Sequence, residues 1–571
     1  MRKACYILKF SPLLTLLGLL AAGCTPTQYA QQADHAAYDA VKDARQKAAI
    51  EVAAWSIDYR PYVPAATQAT TAPAITVGGK SIPLASTRPS VLTLDDCLEI
   101  AFRNSRAFQD QKEDLYKQAL VVASAERTWK SPYPQGDITA NASRDVVNHG
   151  DSVSAAAVSA QPTLVQRFHN GGLLTLGYAL TLATDFGGGN STAVGSLLSA
   201  DFTQPLLRGA WVDAAYEPIY RLERDLLFSA YQYERFTQTF ATDILTQYYQ
   251  VLRFRDTLEN DSTNIVRLKE TLALTKVLVQ GGQVSRIEQD QAEQNLLDAQ
   301  IRYQQDLRNY RDTLDQFKIA LGLPVRANLE LDYPASLDRL NKAGPLPMPW
   351  KEEEAISVAF LTRPDVLTQT AKVRDAGRNV ELAADRFLPQ LDLELGISAP
   401  GTEPREFWRT QFNRHRRFAR VNFDYAIDQT DNRDAYRLAI IEQAKAQRDF
   451  QQFLDQVRLD VLQSYRNLQV SRSSYDLQVR SVEIAKRRQK LAALQQREGQ
   501  ASARDVLEAE EALRLAQNGL TSAMVDYATL RLRFLSTLGM ISVDDKGQIH
   551  ERQQPTQFDP IQRRYPYVAA P

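Results

Sequence analysis

The tetrad Gly282-Gln283-Val284-Ser285 has a near copy, Gly499-Gln500-Ala501-Ser502, 217 residues further along, and each copy lies between two long helical patterns. The same offset aligns Glu288 with Asp505, Ala292 with Ala509, Glu293 with Glu510, Leu296 with Leu513, Ala299 with Ala516 and Tyr310 with Tyr527, and Gly322 and Gly539 close the two runs. A self-match of this length signals an internal duplication, which constrains the fold more than any local propensity. The flanks constrain it further. Residues 213 to 280 and 430 to 497 contain no proline after Pro218. At about 1.5 Å rise per residue each helix would reach roughly 100 Å, more than a globular core needs. Apolar residues recur every seven at Ile244, Val251, Leu258, Ile265, Leu272 and Val279, and Val461, Leu468, Tyr475 and Val482 repeat part of that series at the offset of 217. After the turns, Leu296, Tyr303, Tyr310 and Phe317 are echoed by Leu513, Leu520, Tyr527 and Phe534. A strict heptad gives a narrow seam and left-handed winding of neighbouring helices.

A second offset, 258, aligns Ala101-Phe102 with Ala359-Phe360, Val122 with Val380, Ala125 with Ala383 and Trp129 with Phe387. These pairs lie on two predicted helices, one capped at Thr93 and running to about Trp129, the other running from Glu352 to Phe387. Each is followed by alternation, Asp137-Ile138-Thr139-Ala140-Asn141-Ala142 and Leu391-Asp392-Leu393-Glu394-Leu395, the period-two pattern of a half-buried strand. Both halves then resume a strand, at Ser199 to Gln204 and at Arg420 to Asp428, before the long helices. The offsets differ by 41 residues (258 less 217), so the first half carries an insertion of that size. It falls at 158 to 190, where Gly171 to Thr184 alternates before the loop Gly187-Gly188-Gly189-Asn190. An external hairpin and a replacement for one barrel strand both fit it. Four strands per chain are too few to close a barrel, since the smallest membrane barrels have about eight, so oligomerisation is implied.

The remainder of the chain mainly excludes. Basic residues number 67 against 68 acidic, so no overall field attracts nucleic acid. Outside the N-terminus no apolar run has the length of a membrane-spanning helix, although the strands of a β-barrel escape such a test. Residues 1 to 23 read as an export signal, with Arg2 and Lys3 before the apolar Phe10 to Ala22. Leu20-Ala21-Ala22-Gly23-Cys24 is similar to a bacterial lipoprotein box, in which Cys24 would be lipidated and Thr25 would direct the protein to the outer membrane. A plain signal-peptidase site is the alternative. Cys5 leaves with the signal and Cys97 stands alone on an apolar helical face, so no disulfide forms within the chain. Residues 24 to 90 read as a polar helix and a Pro, Ala and Thr-rich tether, and 541 to 571 as an extended tail. Gly79-Lys80-Ser81 lacks the earlier glycine and the strand of a phosphate loop. His35, His149, His169, His415 and His550 lack metal-ligand spacing. No catalytic constellation appears, and neither enzyme activity, metal nor cofactor is expected.

Taken together, the doubled order of helix, strands, long helix, turn and helix resembles a TolC-type outer-membrane efflux protein over about residues 90 to 540. The strand-to-helix signature Phe202-Thr203-Gln204-Pro205-Leu206-Leu207-Arg208-Gly209 and the paired Gly-x-x-Ser turns carry the same resemblance. It implies a mainly α fold with membrane β structure, built from a first repeat at 91 to 340 and a second at 341 to 540. Three copies, with four strands each, would form a twelve-stranded β-barrel in outer-membrane lipid, continuous with a long α-helical barrel in the periplasm. The resemblance also assigns Gly282, Ser285, Gly499 and Ser502 to a periplasmic tip that meets an adaptor protein linked to an inner-membrane pump. Asp505 and Glu508, with Glu288 from the first hairpin, would form an acidic gate. Helix capping is a competing role for Ser285 with Glu288 and for Ser502 with Asp505. A structural or adhesive coiled-coil protein without a pore is the alternative reading of the whole chain.

Overall fold

The computed structural model describes residues 26–47, 74–77, 80–83, 90–147, 151–185, 192–344, 350–401, 410–498, 500–544 and 546–552. The export signal, Cys24 and Gly499 lie outside the described residues. The chain divides into two compact units. The first comprises residues 1–55, 115–230 and 371–448, and the second comprises 56–114, 231–370 and 449–571. No helix among the described residues is long and apolar enough to cross a membrane.

In chain order the elements begin with α1 (Pro26–Lys47), β1 (Ala74–Val77), β2 (Lys80–Pro83), β3 (Ser90–Leu92), α2 (Leu94–Asn104) and α3 (Arg106–Lys130). Four strands follow, β4 (Tyr133–Val147), β5 (Asp151–Arg167), β6 (Leu173–Asp185) and β7 (Thr192–Pro205). Next come α4 (Val212–Gln280), α5 (Arg286–Ala320), β8 (Leu329–Leu331), α6 (Tyr333–Ala343), α7 (Glu352–Thr362) and α8 (Pro364–Asp385). The rest are β9 (Gln390–Pro400), β10 (Arg416–Asp424), α9 (Thr430–Arg497), α10 (Ala503–Thr537), β11 (Ile541–Val543) and β12 (Ile549–Glu551). Helices α4 and α9 have 69 and 68 residues, and α5 and α10 have 35 each.

The first unit holds a six-stranded sheet in the order β10-β9-β7-β6-β5-β4, with every neighbouring pair antiparallel. This corrects the expected four strands per chain. The insertion is neither an external hairpin nor a replacement strand: β5 and β6 are two additional full-length members of the sheet. β6 carries the alternation seen in the sequence. β5 has small residues on much of its length, such as Ala155-Ala156-Ala157 and Ser159-Ala160, with no aromatic residue and its few β-branched residues scattered (Val153, Val158, Thr163, Val165), so it lacks the dense β-branched and aromatic run that marks a strand.

The second unit contains four helix ends built alike. At the end of α4, Gly282 takes φ +73, its N–H donates to Val279 O at 3.0 Å, and Gln283 N–H donates to Leu278 O at 2.9 Å. Gln500 N–H repeats the second bond on Gln495 O at 2.8 Å. Gly322 and Gly539 end α5 and α10 with the same pair of bonds and φ of +75 and +73. This is the Schellman arrangement, in which only glycine avoids a Cβ penalty. At Gly322 space matters as well, because a Cβ would lie 2.2 Å from Asn104 O; at Gly539 it would lie 3.0 Å from Thr362 O.

Those two carbonyls mark breaks in helices expected to be continuous. α2 stops at Ser105 (ψ 128) and α7 at Arg363 (ψ 120). Pro364 accounts for the second break, since the residue before proline is pushed out of the helical region. No proline follows Ser105, but the close approach of Gly322 requires the same opening there. Around these corners Phe102, Phe108, Phe236 and Phe240 stack with centroids 4.5 to 6.2 Å apart. Val457, Val461, Leu468, Phe534 and Leu538 form a second core cluster with Ala355 and Ala359. Each large apolar side chain buried in this way stabilises by about 1.5–3 kcal/mol.

Two segments expected to be extended are paired in part. β1 and β2 form a hairpin inside the 60 to 89 region, and β11 and β12 form one in the tail, where Gly547 lies against the Phe102 ring.

Candidate functional site

In an antiparallel pair, facing residues share a side of the sheet. Leu395 pairs with Phe202, Phe202 with Leu174, Leu176 with Leu164 and Leu180 with Ala160, which pairs in turn with Ile138. On the other flank Leu391, Leu393 and Leu395 face Phe423, Val421 and Ala419. One side of all six strands is therefore mainly apolar, with Gln166, Gln204 and Arg417 towards the strand ends. β6 contributes Leu174, Leu176, Tyr178, Leu180 and Leu182 to it in unbroken alternation. This apolar face is open in the single chain: Ile138 is 63% exposed, Val421 60% and Phe423 66%.

The opposite face is polar. Asp137, Thr139 and Asn141 of β4 pair with Gln161, Ser159 and Ala157 of β5, and Thr139 and Ser159 share a hydroxyl hydrogen bond of 2.6 Å. Thr175 and Gly177 of β6 pair with Asp201 and Ser199 of β7. Glu394 of β9 accepts from Arg420 at 3.1 Å and from Asn422 at 2.6 Å. Such charges on one side and leucines on the other match the walls of a membrane barrel, whose strands alternate between lipid and lumen. A contiguous exposed apolar surface also needs a covering, because soluble monomers rarely display one. The strands have 9 to 17 residues, and about 9–11 suffice to cross a bilayer.

Asp385, at the C-terminal end of α8, holds the strand-to-helix corner that the sequence singled out as Phe202 to Gly209. It accepts from Gly209 N–H at 3.0 Å and from the Trp211 indole at 2.9 Å, while Leu206 N–H donates to Leu391 O at 2.7 Å. Beside it in the same unit, Arg224 bridges Glu217 (2.5 Å) and Asp375 (2.9 Å), and Arg378 contacts both acids. Burial raises the Asp375 pKa, with the arginines opposing. Nothing in the sequence pattern marked this cluster.

The second unit brings the two hairpin turns together. Ser502 caps α10 in full: its hydroxyl accepts from Asp505 N–H, and Asp505 accepts from Ser502 N–H at 3.0 Å. Hydrogen bonds to its carboxylate from the Ser502 hydroxyl (2.7 Å) and then from the Ser502 N–H hold the Asp505 carboxyl below its ordinary range. Ser285 makes no side-chain cap, and only its carbonyl accepts, from Glu288 N–H at 3.2 Å. Glu288 is thus released to accept from Ala503 N–H of the other hairpin at 3.4 Å. Glu508 is exposed and paired with Arg504 at 3.1 Å and Arg488 at 3.7 Å. Of the three expected acidic positions, Glu508 carries cationic partners, while Asp505 and Glu288 are held by the Ser502 cap and the Ala503 N–H.

Polar ties between hairpins centre on Glu510 and Glu511, whose charges the sequence pattern suggests are solvated. Glu510 is 3% exposed, meets Arg267 of α4 at 3.1 Å, and accepts from Gln489 of α9 at 2.6 Å. Asp261 of α4 meets Arg514 of α10 at 3.3 Å, and Arg514 forks onto Glu511 at 2.7 and 2.9 Å. Arg302 of α5 joins Glu511 at 3.5 Å. Burial, reinforced by neighbouring Asp306, raises the Asp261 pKa to about 6 against the pull of Arg514. Around these ties Ala292, Ala299 and Leu507 pack on Leu268 and Leu272, so small residues allow close helix approach. Glu510 lies three residues before Leu513 and four after Val506, on the apolar seam, and that placement was the available signal.

Residues 355–539 match the family model of outer membrane efflux proteins. No curated protein sequence matches the chain. Among solved structures, the outer-membrane channel OprN aligns with a TM-score of 0.57 at 12% identity, over 86% of this chain and 98% of its own. The CmeC outer membrane channel of Campylobacter jejuni aligns at 0.56 and 16% identity, over 81% and 87%. The open-state MtrE outer membrane channel of Neisseria gonorrhoeae aligns at 0.56 and 14% identity, over 78% and 88%. Residues 355–539 are thus similar in sequence to outer membrane efflux proteins, and the fold is similar to that of outer-membrane channels.

Proposed function

We propose that the protein is the outer-membrane conduit of a multi-component exporter, passive itself and driven by an inner-membrane pump through a periplasmic adaptor. The observation that carries this reading is the six-stranded sheet with one apolar and one polar face. A pore-free rod has no use for such a surface, whereas several copies of the sheet form a wall between lipid and water. Three copies close the wall in this proposal, and the duplicated sequence supplies each copy with two helical hairpins. The Gly282–Ser285 and Gly499–Ser502 turns meet the adaptor, and the hairpin ends carrying Glu288, Asp505 and Glu508 form the gate. The arginine partners of Glu508 make that constriction a mixed ring of both signs. Cys24 is the proposed lipid anchor, which a Cys24→Ala protein that still incorporates labelled fatty acid would disprove. Purified protein in planar bilayers tests the conduit: discrete conductance steps of uniform size are expected. Their absence would favour the pore-free envelope protein.

A further inference from the structure

Among the described residues the sheet ends in two edge strands without a further neighbour, β4 and β10. In lipid an open edge is untenable, because unpaired N–H and C=O groups find no water there. Six strands cannot close on themselves, since the smallest membrane barrels need about eight. The edges must therefore pair with other copies.

Their directions permit it. All five pairs in the sheet are antiparallel and the number of strands is even, so β4 and β10 run in opposite senses. Joining β10 of one copy to β4 of the next continues the antiparallel pattern around a ring. The faces also continue. Ala419, Val421 and Phe423 are apolar on β10, as are Ile138, Ala140 and Ala142 on β4. On the polar side β10 carries Arg416, Arg420 and Asp424, and β4 carries Asp137, which can meet the arginine-bearing part of β10.

We infer that the assembled barrel has eighteen strands, six from each of three copies, rather than the twelve that the resemblance implies. The copy number rests on the trimeric conduit reading above; the count of six per copy does not. The inserted pair β5 and β6 is registered along nearly its whole length with β4 and β7, from Tyr133↔Val165 to Thr184↔Thr192. It contributes two wall strands to each copy, not an appendage. With strands ~4.8 Å apart and tilted ~40°, eighteen of them give a radius of ~18 Å against ~12 Å for twelve, a lumen about one and a half times as wide. Rings of 16–18 strands leave an open aqueous channel. Such a barrel admits larger solutes than a twelve-stranded one, and selection of what passes falls to the hairpin end or the pump.

The test uses the full-length protein in two measurements. Cysteines placed at Thr139 and Asn422 probe the β4–β10 seam, and oxidation is expected to yield covalent trimers. A spin label at Thr181, on the polar face of β6 opposite Ser159, reports the distance between copies. For three labels on the wall the expected spacing is ~31 Å for eighteen strands and ~21 Å for twelve, a ratio of about 1.5. Covalent trimers with the longer spacing support the inference. Trimers with the shorter spacing overturn the strand count and leave the conduit standing. A species of any other size overturns the trimeric reading as well.

Discussion

Leu180 and Thr181 are adjacent on β6, yet the registers place them on opposite faces, Leu180 beside Ala160 and Ser196, and Thr181 beside Ser159 and Gly195. Introducing lysine at each position adds the same charge to the same strand, one residue apart, near the middle of Leu173–Asp185. If the apolar face meets lipid, Leu180→Lys costs about 2–4 kcal/mol per chain at the bilayer midplane, while a lumen-facing lysine stays in water and alters selectivity rather than stability. In the proposed ring of three copies the penalty accumulates to roughly 6–12 kcal/mol per assembly. Even the lower bound per chain changes the assembly equilibrium by about thirtyfold. The assay is the yield of detergent-resistant oligomer after insertion into vesicles, read from mobility before and after heating. Assembly is expected to be lost for Leu180→Lys and retained for Thr181→Lys. Equal yields, or a larger loss for Thr181→Lys, would refute the assignment of the faces.

Three further outcomes follow from the hairpin unit. Gly322→Ala combines a left-handed backbone with a 2.2 Å approach to Asn104 O, a cost of about 2–5 kcal/mol, whereas Gly282→Ala has open space around it and costs only the backbone strain, about 1–2 kcal/mol. Denaturant unfolding should rank them in that order, and equal effects would remove the packing role of Gly322. Asp261 has a folded pKa raised to about 6, above its unfolded value, so it binds its proton more tightly when folded. The part of the α4–α10 packing that Asp261 contributes is fully present below about pH 4 and is lost as pH rises through about 6. Hydrogen exchange at these helices should accelerate from pH 5 to 7.5 beyond the intrinsic rate, and Asp261→Asn should abolish that increment. Glu508→Gln leaves Arg488 and Arg504 without their partner at the hairpin end, so the cation-to-anion permeability ratio should fall; an unchanged ratio removes Glu508 from the constriction.

The long helices were legible because heptads and the absence of proline are one-dimensional signals, and Val461, Leu468 and Phe534 are buried as the seam requires. The glycine turns were equally plain, since few residues accept their backbone. Strand β6 could be read from its leucines, but β5 could not, because runs of alanine and serine with scattered valines show no period-two contrast and only its neighbours define its faces. The break at Ser105 follows from Gly322, more than two hundred residues away, and no local pattern contains it. Glu510 and Glu293 occupy matching positions in the two hairpins, yet Glu510 is buried and Glu293 exposed. The difference arises from which helix lies opposite each, Arg267 and Gln489 being on hand for one of them. Ser285 and Ser502 diverge in the same manner: the sequence offers both as caps, and the cross-hairpin bond to Ala503 takes Glu288 away from the first.

The account depends most on one side of the sheet meeting lipid and the other meeting water. Single cysteines from Leu174 to Leu182, introduced one at a time into protein reconstituted in vesicles, can be challenged with a membrane-impermeant thiol reagent. The odd positions, Thr175, Gly177, Ala179 and Thr181, are expected to react, and the even positions, Leu174, Leu176, Tyr178, Leu180 and Leu182, to be protected. A uniform profile, or protection of the odd set, would contradict the barrel wall and the conduit built on it.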